Sequence, residues 1–165
     1  MPVQTLKYGP HALAAALFAA IVFQPVDASA GAFTALQGNW SGGGTISMQN
    51  GTHERIRCKA TYDVSPPGDS LTQTLRCASD SYKFNVDSTV TENGGTISGS
   101  WTETTRNVTG SVSGQVSGSV IEVLVTGVGF SAGISLATRG SAQAVAIRPS
   151  GDTDVVGVTV SLHKA

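Results

Sequence analysis

Acid–base or nucleophilic chemistry needs two complementary groups within reach of one substrate atom, and this sequence offers few. Period-two alternation turns one carboxylate, Glu103, toward the interior near Phe84 and Gly110. A lone inward carboxylate is costly unless it is paired, sits at a rim or orients a ligand. Glu54, the other glutamate that this reading turns inward, stands at a strand start far away in sequence, so no catalytic residue is assigned. Gln143 is a further inward polar group that could share a cavity with Glu103. His53 and His163 show no ligand spacing to Cys58 or Cys77, so no metal site is assigned either.

The elements that hold these residues begin after an export signal. Lys7 is the single Lys or Arg of residues 1–30, an apolar run follows from Ala12 to Phe23, and Ala28-Ser29-Ala30 supplies a small-residue cleavage site. The run is shorter than the roughly 20 residues that span a bilayer, and Pro25 and Asp27 interrupt its continuation. Cleavage predicts a mature chain from Gly31, periplasmic or secreted, with no remaining membrane span. Residues 31–165 are then one domain. In an oxidising compartment its two cysteines read as a Cys58–Cys77 disulfide.

The formal charge of the 165-residue chain is −1, which gives no electrostatic reason to seek nucleic acid. Glycine occurs 20 times, yet apolar residues recur regularly between the glycines, unlike a disordered tail. Three Asn-x-Ser/Thr triplets begin at Asn39, Asn50 and Asn107, as expected by chance in a chain rich in Ser and Thr.

Alternation runs through nearly the whole mature part. Ile56, Cys58, Ala60, Tyr62 and Val64 share one face; Arg55, Arg57, Lys59, Thr61 and Asp63 share the other. A turn centred between Pro67 and Gly68 pairs Val64 with Leu71, Ala60 with Leu75 and Cys58 with Cys77. The cysteines therefore meet across one antiparallel hairpin. An Asn93-Gly94 turn pairs Val90 with Ile97, Val86 with Trp101 and Phe84 with Glu103. Turns near Arg106-Asn107 and Ser117-Gly118 set Val112 opposite Trp101 and Val123. A turn at 127–129 sets Val125 by Phe130 and Ile121 by Ile134. Turns at Arg139-Gly140 and 149–152 bring Val145 and Ile147 near Val156 and Val158.

The expected fold is all-β: a single antiparallel up-and-down barrel of about ten strands, because closure removes unpaired edges. A two-sheet sandwich is the alternative. Inward glycines at 42, 44, 99, 110 and 114 leave room beside Trp40 and Trp101, or permit sharp bends. Trp40, Tyr62, Phe84, Trp101, Glu103 and Gln143 are the candidate lumen-lining residues. Arg55, Arg57 and Lys59 make a basic stripe, read as a solvated face that blunts edge pairing or as a surface for an anion or acidic partner.

Gly38-Asn39-Trp40-Ser41-Gly42-Gly43-Gly44 reads G-x-W-x-G-x-G on the first strand and resembles calycin-type barrels. Lipocalins carry G-x-W there, and the haem-binding nitrobindins carry the longer form. The resemblance implies a barrel whose tryptophan plugs the closed end. In nitrobindin-like barrels a histidine near the carboxyl end ligates iron from inside. His163 has outward parity and His53 precedes its strand, so no cofactor is expected. The segments GNWSGGGTI, ERIRCKATY, LRCASDSY and ISGSWTE also resemble small exported proteins of alphaproteobacteria, which implies compartment and fold and brings no activity.

The resulting expectation is a non-enzymatic exported barrel, binding a small apolar or amphipathic ligand in its lumen. The alternative is a protein-binding module. Bacterial inhibitors of secreted metalloproteases resemble this plan and act through a flexible amino-terminal segment, the place held here by residues 31–36.

Overall fold

The computed structural model describes residues 30–165, so the export segment lies outside the described residues. A 3-10 turn, Thr34–Leu36, precedes ten strands: β1 Gly38–Met48, β2 His53–Val64, β3 Ser70–Ala78, β4 Lys83–Asn93 and β5 Thr96–Glu103. The second half is β6 Val108–Ser117, β7 Val120–Gly127, β8 Phe130–Arg139, β9 Ala142–Gly151 and β10 Val155–Lys164. Each strand pairs antiparallel with its sequence neighbours, and β1 pairs with β10 to close the barrel. It is a barrel and not a sandwich.

Ser and Thr make up most outward positions of β1, β3, β5 and β6, and charged residues most of those on β2, whereas Ile46, Ile56, Leu71, Ile97 and Val112 point inward and are buried. On these strands the pattern is the reverse of a membrane-spanning barrel, which turns its apolar face out. No helix among the described residues is long and apolar enough to cross a membrane.

The β2–β3 register is the expected one, with Val64 opposite Leu71, Ala60 opposite Leu75 and Cys58 opposite Cys77. The cysteines are disulfide-bonded, their Cα atoms 4.1 Å apart, and both are buried. Further along, four hairpins keep the expected faces but slide by two residues. Asn93 extends β4 to pair with Thr96, so the turn is Gly94-Gly95, both with positive φ. Glu103 then lies opposite Val86, and Trp101 opposite Ser88. Val112 faces Gly99 and Val125, while Val123 faces Ile134 and Gly127 faces Phe130. A two-residue slip leaves every side chain on its face, so alternation cannot detect it.

Two local expectations are overturned. Opposite the step from Ser47 to Met48, partnered by Gly157 and Val155, Val156 is the extra residue of a bulge. Val155 packs against the core, whereas Val156 is 51% exposed. His53 opens β2 opposite Ser47 rather than preceding the strand.

The inward glycines serve bends. A Cβ on Gly42, Gly44, Gly99, Gly110 or Gly114 would overlap a backbone carbonyl oxygen of the adjacent strand. On Gly110 it would also strike the Trp101 ring, so that glycine makes room as well. Gly44→Ala should cost about 1–3 kcal/mol by overpacking. Gly133→Ala, on the open outer face with nothing within 4 Å, should be neutral or slightly stabilising. Thermal melts of the two variants side by side check this.

Reduction of Cys58–Cys77 should remove about 3 kcal/mol on the chain-entropy account. The bridge lies within one hairpin, so amide exchange should quicken mainly in β2 and β3 while the barrel persists.

Candidate functional site

The two ends of the barrel are built differently. At the end where β1 begins, the Thr34–Leu36 turn brings Phe33 and Leu36 under the barrel, each almost fully buried. Phe33 donates its backbone N–H to the Gly68 carbonyl at 2.9 Å. The Trp40 indole donates to the Leu36 carbonyl at 2.7 Å, and the Lys164 ammonium stands 5.3 Å from the Trp40 ring. This end is plugged. Residues 31–36 are thus part of the barrel's closure, which corrects the expectation of a free segment that could enter a protease cleft.

Gln143 belongs to the plugged end. The Tyr62 hydroxyl donates to Gln143 Oε1 at 3.0 Å, and Gln143 Nε2 donates to Thr138 Oγ1 at 3.3 Å, all three residues being buried. Burial pushes the Tyr62 phenol up to about 12, so it stays protonated and keeps donating.

The opposite end carries a second set of aromatic residues. Tyr82 and Phe84 stack with ring centres 6.1 Å apart, and Phe130 meets Trp101 edge-on at 6.3 Å. The Trp101 indole donates to the Thr126 carbonyl at 3.2 Å, which lays its ring across the bare backbones of Gly110 and Gly127. Tyr82, Phe84 and Trp101 are only half-buried, and Phe130 is exposed. Met48 and Val155 also pack here against the core.

Between the ends the inward residues are buried unevenly. On the β1–β3 side Ile46, Ile56, Ala60, Tyr62 and Leu71 are buried. On the β7–β9 side Val123, Ile134, Leu136, Val145 and Ile147 turn inward by register yet stay half-buried. The apolar residues that β7 to β9 turn inward are thus less closely covered than those of β1 to β3, and part of the exposure of Val123 and Ile134 is to the outer face beside Gly114 and Gly133.

Glu103 sits at this open end, not with Gln143. A row of paired residues leaving Trp40 at the plug runs through Ala60, Leu75 and Val86 to Glu103 at the rim. Strand tilt carries that row from one end to the other. The carboxylate closes the β5–β6 turn: Oε1 accepts from the Asn85 N–H at 3.0 Å and Oε2 from the Arg106 N–H at 2.7 Å. The Arg106 guanidinium adds an ion pair at 3.6 Å. Burial pushes its pKa up, but the Asn85, Arg106 and Thr105 hydrogen bonds together outweigh this and hold it below the usual value. Glu54 accepts from the Ser81 N–H in the same manner. Glu92, also inward by register, accepts from the Gly95 N–H. The inward glutamates are turn locks.

Beside Glu92 and Thr138, two further inward polar residues, Gln73 and Ser88, escape the sequence reading. The Ser88 hydroxyl donates to Gln73 Oε1 at 2.9 Å, and Ser88 lies directly opposite Trp101. Both have inward parity, a signal obscured by the Leu and Val residues around them. The two histidines of the described residues are exposed on outward positions, so neither imidazole reaches the lumen to hold a haem iron. No group of His, Cys, Asp and Glu among the described residues is placed to hold a metal.

No protein-family model and no curated protein sequence matches the chain. Solved structures do. The crystal structure of Rv2717c from M. tuberculosis is similar at a TM-score of 0.63 and 13% identity, over 81% of this chain and 95% of that one. The S-type phycobiliprotein lyase CPES from Guillardia theta is similar at 0.57 and 10%, over 81% and 90%. The shared fold is a calycin-like barrel. At these identities the likeness is one of fold alone.

Glu103→Gln keeps the shape but presents an amide donor to one of the two backbone N–H groups. It should cost about 1–2 kcal/mol at neutral pH. Because the folded pKa is depressed, the carboxylate's stabilisation is present above the unfolded value and lost as pH falls through the folded one. The gap between wild type and variant in urea melts should therefore narrow as the pH falls through and below the ordinary carboxylate range.

Proposed function

We propose that this protein is an exported, non-enzymatic barrel that takes a small apolar or amphipathic ligand through its aromatic-rimmed end. The observation that carries the reading is the half-buried inward wall of β7–β9, set against the filled β1–β3 side. An apolar wall with few polar groups is the usual make-up of a small-molecule site. Here those groups are Gln73 and Ser88 inside and the rim backbone held by Glu103. The calycin-like fold supports the reading as a fold that can enclose a ligand. Export is supported by residues 1–30 as a sequence and by the Cys58–Cys77 bridge, which an oxidising compartment would preserve.

A direct test uses 1-anilinonaphthalene-8-sulfonate as probe. Trp40 and Trp101 both stand within the barrel's length, so energy transfer from tryptophan to the probe should report binding. Saturable one-to-one binding is expected. Val123→Phe should place its ring in the lumen, weaken probe binding about tenfold and leave stability nearly unchanged. No saturable binding, or a loss of about 1–3 kcal/mol in Val123→Phe as in a packed core, would overturn the reading.

A further inference from the structure

The outer face of β2–β4 carries a second feature, distinct from the lumen. Arg57 and Lys83 both pair with Ala78, one on each side, while Lys59 and Asn85 flank Arg76 in the next row. Adjacent strands are about 4.8 Å apart, so Arg57 and Lys83 rise about 10 Å apart with only a methyl group between them. These residues line a shallow groove whose floor is Ala78 and the backbone of Gly42 and the cysteines. Four cations therefore ring one short side chain.

Little on the protein neutralises them. Among the described residues the one carboxylate paired with any of the four is Asp87, 2.8 Å from Arg76. That guanidinium nitrogen also donates to the Leu75 and Val86 carbonyls, which pins Arg76 against the sheet. Arg57, Lys59 and Lys83 are exposed with no ion-pair partner among the described residues. Arg55 extends the row along β2. The whole chain carries a net charge of −1, so this concentration is local and not a reflection of a basic protein.

We propose that this groove is a binding site for a phosphate or phosphate-monoester group, seated over Ala78 between Arg57 and Lys83. A tetrahedral dianion can accept from an Arg fork on one side and an ammonium on the other. The short Ala78 side chain lets it descend between the cationic stems. Lys59 and Asn85 lie within side-chain reach of the same point, and Arg76 adds positive field from its pinned position. The site is solvent-facing, so its affinity for a single anion is weak and sensitive to salt.

The test is a titration of the 15N-labelled protein with sodium phosphate at fixed ionic strength. The Arg57, Ala78 and Lys83 amides should shift together and saturate. Arg57→Glu combined with Lys83→Glu, both at exposed positions, should weaken binding by about tenfold or more without lowering the melting temperature. Arg57→Gln with Lys83→Gln provides the same reading should charge reversal disturb the hairpin. Flotation with vesicles containing phosphatidic acid, against phosphatidylcholine alone, separates the sources. Capture that free phosphate competes away supports the site with a lipid headgroup as ligand; saturable phosphate shifts without capture support it with a soluble ester. Shifts that do not saturate, or that persist in both double variants, would overturn the proposal, whatever the vesicles do.

Discussion

The barrel exists because β1 can hydrogen-bond on both edges at once, and that depends on two missing side chains. Gly42 and Gly44 lie where β1 presses over β10, against the carbonyl oxygens of Ser161 and Thr159. A Cβ at either position would overlap that carbonyl and strain the pairing that keeps these two edges covered. The same segment supplies Trp40, whose indole ties the plug to the first strand. Gly38, with φ of +113°, admits the turn that leads from plug to strand. The G-x-W-x-G-x-G pattern is therefore one mechanical unit: it enters, plugs and bends.

Faces were legible in the sequence, and registers only in part. Which residues point inward follows from a period of two, and the buried core agrees with it from Ile56 on β2 to Leu162 on β10. Register follows from turn geometry. Pro66-Pro67-Gly68-Asp69 admits one clear centre, so the disulfide hairpin was readable. Asn93-Gly94-Gly95 admits two, and Gly94-Gly95 wins because both residues take positive φ at no steric cost. The Val156 bulge was not legible, since an extra residue in one strand depends on what its partner strand does at that point.

The candidate site was less legible than the fold, for a related reason. Parity puts Glu103 and Gln143 on the same inner surface but says nothing of height along the barrel. Turn order separates them, Glu103 standing beside the β5–β6 turn and Gln143 beside the β8–β9 turn at the other end, and each is satisfied by its own neighbours. The asymmetry of the lumen is also invisible to alternation, because Val123 and Ile134 read like Ile46 and Ile56. Ile46 and Ile56 lie with Phe33, Trp40 and Tyr62 in the buried cluster, whereas Val123 is only partly buried at its edge. Volume is a property of the closed ring, not of any strand in it.

A strand has two faces, and the β2–β3 hairpin uses both. Cys58 and Cys77 face inward, and directly beside them Arg57, Lys59, Arg76 and Ala78 face outward. The bridge that fixes this hairpin's register therefore also fixes the spacing of most of the outer cations. Only Lys83 and Asn85 come from another strand, β4, which is held to β3 by its own ladder. The β7–β9 wall lies on the other side of the ring and shares none of these residues. Loosening the disulfide should thus be felt at the outer groove before it is felt in the lumen. The two surfaces are joined both ways round the ring, through β5 and β6 on one side and through β1 and β10 on the other.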